Sequence, residues 1–153
     1  EKLETVDVEV LLRESRDLLA PPAEATIVIG AGMPTLQAER VPLQQVFLNL
    51  MSNALKHVGR TDARIEVTCT DAGAFHDFAV KDNGPGIDPR FHDRIWGIFQ
   101  TLEARDKVEG TGIGLSVVKK IVETRGGRVA VESTPGAGAT FHVYWPKQPR
   151  VFE

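Results

Sequence analysis

Three groups of residues in this 153-residue chain have types and spacing suited to a phosphorylated ligand. The first is Gly110, Gly112 and Gly114, alternating ahead of an apolar helical pattern through Leu115, Val118 and Val122. Glycines there let a ligand approach the main chain, and the first turn of the helix offers free N–H groups at the positive end of its dipole. A dinucleotide fingerprint needs a strand entering the glycines, whereas residues 100–109 are polar and charged. A P-loop needs Lys-Ser or Lys-Thr where Leu115-Ser116 stands. The second group is Asn49 and Asn53, four apart on one helix face, with Lys56 a turn beyond. These amides either hydrogen-bond a neighbouring loop or hold a metal or polar ligand. The third is Asp82, at a strand end before Gly84 and Gly86. Its carboxylate either closes an Asx-turn or accepts from a ligand amine such as that of adenine, which would favour adenine over guanine. Arg105 and Lys107 are either solvated charges or phosphate contacts made when a lid closes.

The elements that must position these groups follow from periodicity. Residues 5–9 alternate weakly, as in a short edge strand, and Val10 to Leu19 read as a helix that Pro21-Pro22 stops. Residues 25–30 read as a strand, with a brief strand at 35–38 completing a hairpin. Pro42 suits a first helical turn, and the longest helical pattern runs from it to His57, with Gly59 ending it. Residues 64–70 alternate cleanly, Asp71 to Gly73 make a hairpin turn, and 75–80 return. Cys69 reads as a small buried hydrophobe in the outgoing strand rather than a nucleophile. After the helix at 112–124, Arg128 to Ser133 and Ala139 to Trp145 form a last hairpin around Pro135-Gly-Ala-Gly138. Helices and strands mix without a clean βαβ alternation. The expected fold class is therefore α/β in the α+β sense: a two-layer sandwich, one mixed, mostly antiparallel sheet of about five strands, covered on one face by about three helices.

Composition narrows the function classes. With 42% hydrophobic and 25% charged residues the chain suits one soluble globular domain. A net charge of -3 offers no general electrostatic footprint for nucleic acid or a membrane surface. The single cysteine excludes an internal disulfide and suits a reducing compartment. No apolar run nears the roughly 20 residues that span a bilayer.

The motifs resemble those of the sensor histidine kinases, in that family's order and over nearly the whole chain. Asn49-Leu-Met-Ser-Asn53-Ala-Leu-Lys56-His57 resembles the N box, and Asp82-Asn-Gly-Pro-Gly-Ile87 the first glycine box. Arg94-Ile-Trp-Gly-Ile-Phe-Gln100 resembles the F box through Phe99, and Gly110-Thr-Gly-Ile-Gly-Leu115 the second glycine box. The closing hairpin from Gly126 to Phe141 matches as well. The resemblance implies the ATP-binding catalytic domain of a two-component sensor kinase, with the Bergerat fold shared by gyrase, the Hsp90 chaperones and MutL. It implies ATP and Mg²⁺ as cofactors, with Asn53 on the metal, Asn49 by the phosphates and Lys56 offering them positive charge. It puts His57 near the sugar and phosphates and Asp82 on the adenine amine. Gly84 and Gly86 would shape the adenine pocket and lid hinge, Ile87 would open the lid, and Gly110, Thr111, Gly112, Ile113, Gly114 and Leu115 would form the phosphate cradle. The domain is expected over residues 1–146, with the lid at about 87–109 and a polar tail at 147–153.

Two departures matter. Hydrolytic relatives carry a glutamate where this chain has Asn49, and an amide cannot serve as a general base. The γ-phosphoryl would therefore be kept for a histidine on a separate helical domain, expected ahead of Glu1. In the F box, Gly97 and Ile98 replace the family's usual acid and proline. The chain's own histidines are His57, His76, His92 and His142, and none sits in the family's helix pattern of a histidine followed by an acid. The expected partners are that phosphoacceptor domain and a downstream response regulator, with neither nucleic acid nor direct membrane contact, in the cytoplasm. A nucleotide-sensing module and an anti-sigma-factor-type serine kinase of the same fold are the alternatives.

Overall fold

The computed structural model describes residues 2–97 and 114–149. It opens with strand β1 (Glu4–Asp7) and helix α1 (Val8–Leu19). The helix starts earlier than its apolar pattern because Asp7 caps it, accepting from the Val10 N–H at 3.3 Å, a cap worth about 1 kcal/mol. It ends at Ala20, which takes the left-handed conformation at φ 46° ahead of the two prolines. Strands β2 (Thr26–Ile29) and β3 (Thr35–Ala38) follow, then the long helix α2 (Arg40–Val58). Pro42 lies in the first turn of α2, and Gly59 closes it at φ 69° with its N–H on the Leu55 carbonyl.

Strands β4 (Arg64–Ala72) and β5 (Phe75–Lys81) form a hairpin, and helix α3 (Gly114–Thr124) precedes the hairpin of β6 (Arg128–Ser133) and β7 (Ala139–Pro146). Five strands make one sheet in the order β2-β4-β5-β7-β6. Only the β2–β4 pair is parallel. The three helices cover one face, where Ile65, Val67, Phe78, Val80, Phe141 and Val143 are buried against Phe47, Leu50 and Val118. Phe47 meets Phe78 edge-on, with centroids 5.2 Å apart. This is the expected two-layer arrangement.

Three expectations are corrected. The strand at 35–38 does not form a hairpin with that at 25–30: β3 pairs antiparallel with β1, and β2 pairs parallel with β4. Alternation reveals a strand but not its neighbour, and here α2 crosses over between the parallel pair. The β4–β5 turn sits at Gly73-Ala74, so Asp71 belongs to β4 and accepts from the Gly73 N–H at 3.0 Å. Cys69 is half-buried rather than fully buried. Burial, then the carboxylates of Asp77 and Asp71, push its thiol up to about 11, which keeps it protonated and unreactive.

The uncovered face of the sheet carries a polar cluster across three strands. His142 Nδ1 lies 2.9 Å from Asp77 on β5, and its Nε2 lies 2.5 Å from Glu132 on β6. The ring stacks on Tyr144, over which the Arg128 guanidinium sits at 3.8 Å. Burial alone would lower the His142 pKa, but the hydrogen bonds and charge of Asp77 and Glu132 outweigh it and raise the pKa above the ordinary 6.5. The folded state thus holds this proton more tightly than the unfolded chain. The resulting stability is complete below about pH 6.5 and is lost as pH rises through the higher folded value. His76 acts in the opposite sense, because burial lowers its pKa. The contribution of His142 is therefore read as a difference. The gap in thermal midpoint between wild type and His142→Gln should be widest at about pH 5.5–6 and close toward pH 8–9. A gap independent of pH would contradict this assignment.

Candidate functional site

Helix α2 ends against the loop that leaves β5, and this junction builds the site. Asp82 follows the last residue of β5 and is only 2% exposed. Its backbone N–H donates to the Ala139 carbonyl at 2.8 Å, which extends the β5–β7 ladder by one bond. Its Oδ1 accepts from the Gly84 N–H at 2.9 Å and the Ala139 N–H at 3.2 Å. The Asx-turn is thus present, and it uses one carboxylate oxygen only. The other, Oδ2, faces His57 Nδ1 at a long 3.4 Å. Two fixed backbone donors hold the group rigid and leave an acceptor directed away from them.

Gly84 and Gly86 are required by close approach. A Cβ on Gly84 would lie 3.1 Å from Asp82 Oδ1 and 3.3 Å from His57 Nδ1. At Gly86, φ is 81° and a Cβ would lie 2.1 Å from the Thr134 carbonyl. The loop therefore lies flat on the β6–β7 turn. Gly136 donates to the Pro85 carbonyl at 2.5 Å, and the Ile87 N–H donates to Ser133 Oγ at 2.7 Å. Asn83 ties the same loop to the start of β4, accepting from the Arg64 N–H at 2.8 Å.

One asparagine follows the first of the two readings. Asn49 Nδ2 donates to the Gly114 carbonyl at 3.1 Å, while its Oδ1 accepts from Gln45 at 2.6 Å. Its amide therefore fastens the start of α3 to α2, as a bond to a neighbouring segment. Asn53, one turn on, is half-buried and Lys56 exposed. Neither contacts Asp82 in this structure. Among the described residues no three His, Cys, Asp or Glu side chains converge on a metal position. A cation at Asn53 would therefore draw its remaining oxygens from a bound ligand and water, the usual manner for Mg²⁺ in phosphate sites.

Of the residues singled out in the sequence, the structure brings Asp82, His57 and Gly84 together, and Asn49 to Gly114. It sets His57 against Asp82, whereas the resemblance implied a place near the sugar and phosphates. Ile87 is buried and Leu115 packs on the core. Phe99, Arg105, Lys107, Gly110, Thr111, Gly112 and Ile113 lie outside the described residues, as does most of the expected lid. Of the F-box segment, Ile95 and Trp96 are buried, with Trp96 edge-on to Phe141 at 5.7 Å. Reading the sequence missed Ser133, Gly138 and Ala139 as parts of the site. One signal for them exists: the turn carries two glycines, Gly136 and Gly138.

Comparison with known proteins agrees with this geometry. Residues 38–149 match the family described as histidine kinase-, DNA gyrase B-, and HSP90-like ATPase. The phytochrome-like protein Cph1 of Synechocystis is 43% identical over 122 residues, spanning 80% of this chain and 16% of that protein. The sensor histidine kinase ZraS of Escherichia coli is 36% identical over 149 residues, 94% of this chain and 31% of ZraS. The chain thus spans less than a third of either relative. Among solved structures, the mycobacterial sensor histidine kinase MprB superposes with a TM-score of 0.83 at 23% identity, covering 96% of this chain and 100% of that one. Full-length ShkA in complex with AMPPNP superposes with a TM-score of 0.81 at 30% identity, covering 99% of this chain and 33% of that one.

Proposed function

This chain belongs to the family of histidine kinase-, DNA gyrase B- and HSP90-like ATPases, and on that premise we propose that it binds Mg-ATP and presents the γ-phosphoryl group to a histidine of a separate helical domain. The observation that carries this reading is the Asp82 carboxylate, buried at a strand end with Oδ1 committed to two backbone donors and Oδ2 met by His57 Nδ1 at a long 3.4 Å, an acceptor that a ligand amine would share. Adenine supplies that amine, and guanine carries a carbonyl at the matching position. ShkA, whose structure was solved with AMPPNP, has the same fold at 30% identity.

The other residues have roles set by their chemistry. Asn53 would hold Mg²⁺ through its side-chain oxygen, and Lys56 would meet the phosphates. The metal offsets phosphate charge when bound. The glycines at 110–114, Thr111, Ile113 and Leu115 would cradle phosphate, with Arg105 and Lys107 joining on closure. Asn49 cannot activate water as a glutamate would, and its amide is already committed to Gln45 and Gly114. Slow hydrolysis preserves the phosphoryl group for a better nucleophile, and catalysis reduces to positioning and charge neutralisation. We assign the domain to residues 1–146 with a lid at about 87–109. Residues 147–153 form a polar tail whose root is held by Lys147, bonded to the Ala74 carbonyl and to Asp71. The partners would be a phosphoacceptor helical hairpin of the same parent protein and a response regulator, in the cytoplasm. No helix among the described residues is long and apolar enough to cross a membrane.

The histidines argue against self-labelling. His142 has both ring nitrogens engaged, His92 Nε2 contacts the Ile87 carbonyl at 3.1 Å, and His57 faces Asp82. Incubated with γ-labelled ATP and Mg²⁺, the chain should bind nucleotide and remain unlabelled. Adding a dimeric helical domain with an exposed histidine from the parent should move the label to that domain. Stable phosphohistidine on the isolated chain would refute the scheme. Nucleotide binding without any transfer would identify a sensing module instead.

A further inference from the structure

Beyond the Asx-turn at its start, the loop from Asp82 to Ile87 takes its shape from elsewhere. It is moulded on the β6–β7 turn, and one hydroxyl joins the two. Ser133 Oγ accepts from the Ile87 N–H at 2.7 Å and donates to the Gly138 carbonyl at 2.6 Å. Both partners sit at critical points. Ile87 is 2% exposed and is the last residue of the glycine loop, from which the chain leaves toward the expected lid. Gly138 packs directly beneath the Asp82 backbone, where a Cβ would lie 2.2 Å from the Asp82 carbonyl oxygen. The next residue, Ala139, donates its N–H to Asp82 Oδ1. A single oxygen therefore ties the far end of the loop to the backbone that aims the carboxylate.

We propose that Ser133 is a positioning residue of the nucleotide site, holding the Ile87 end of the glycine loop and the Gly138 backbone in the register that directs Asp82 at the base. It does not touch the ligand. This inference deepens the reading of the pocket as an adenine site and rests on it. Removing the hydroxyl leaves an N–H and a carbonyl without their partner, and the burial of Ile87 restricts replacement by water. Threonine keeps the hydroxyl and suits a strand end.

The test compares wild type, Ser133→Ala and Ser133→Thr in two measurements. The first is amide hydrogen exchange in the ligand-free protein. The Ile87 amide of Ser133→Ala should exchange at least about tenfold faster, while β4 and β5 amides keep their protection. The second is affinity for Mg-ATP and Mg-GTP. Ser133→Ala should bind ATP about tenfold more weakly with a narrower ATP-to-GTP ratio, and Ser133→Thr should restore both. Unchanged Ile87 protection in Ser133→Ala would overturn the proposal. So would a lowered thermal midpoint with the ATP-to-GTP ratio intact, since that marks a purely structural role. If wild type itself binds no ATP, the adenine reading falls, and the Ile87 exchange still decides whether Ser133 is the clamp.

Discussion

Asp82→Asn should bind Mg-ATP at least about a hundredfold more weakly than wild type while unfolding at nearly the same temperature. The asymmetry of the carboxylate predicts both halves of this result. An asparagine oxygen placed at Oδ1 still accepts from the Gly84 and Ala139 N–H groups, so the loop keeps its own turn and its bond to β7. The amide nitrogen then stands at Oδ2, beside His57 Nδ1 and where the proposed site would receive the base. There a donor meets the adenine amine, itself a donor. A charge-assisted hydrogen bond worth about 1.5–3 kcal/mol is lost and a buried mismatch replaces it. Calorimetric titration with Mg-ATP, paired with thermal unfolding, measures the two quantities separately. Wild-type affinity in the variant would remove Asp82 from the site. A collapse of the thermal midpoint would show that both oxygens, not one, hold the loop.

Gly138→Ala should fail in the other direction, losing stability and nucleotide affinity together. Gly138 has φ 74°, and a Cβ there would come within 2.2 Å of the Asp82 carbonyl oxygen. Backbone cannot yield as a flexible side chain does, so β7 or the residue-82 strand end must shift. A cost of about 3 kcal/mol lowers the thermal midpoint of a domain this size by roughly 6–12 °C. The shift also tilts Asp82, and ATP binding should fall with it. Gly136→Ala is the matched control. It has a similar φ of 83°, but nothing lies within 4 Å of its Cβ position. Only the conformational cost of about 1 kcal/mol remains, or roughly 2–4 °C, and ATP affinity should not change. Equal effects at the two positions would mean that backbone conformation alone, not the approach to Asp82, explains the glycine.

These two substitutions show how unevenly the site could be read along the chain. Asp82 was identifiable because part of its setting is local: Gly84, which makes room for it, lies two residues on. Asn49, Asn53, Lys56 and His57 were identifiable because helical periodicity puts them on adjoining turns. Gly138 and Ser133 were not, since their importance comes from residues about 50 positions away, Asp82 and Ile87. Within their own segment they are merely parts of a turn. Asn49 shows the same limit from the other side. Its spacing allowed either a ligand or a neighbouring segment, and only the approach of Gly114, 65 residues on, reveals the bond it makes.

The fold divides along the same line. Alternation and helical period alone were enough to place the α-helices and strands of the described residues to within a few positions, together with the layering of helices on one sheet face, but not the short 3-10 turns at Pro89–Phe91 and Arg94–Trp96. Those signals report how one segment presents its side chains, and they carry no information about which strand lies beside which. Hence the parallel β2–β4 pair, the separate β1–β3 ribbon and the long-range seat of the glycine loop on the last hairpin came only from the packed chain. Pairing is settled by competition among all strands for the same edges and the same buried area, a property of the whole molecule. The candidate site residues were therefore legible one by one, whereas the way Asp82 is held, with Oδ1 accepting from the Ala139 N–H, was decided by the β6–β7 turn folded beneath.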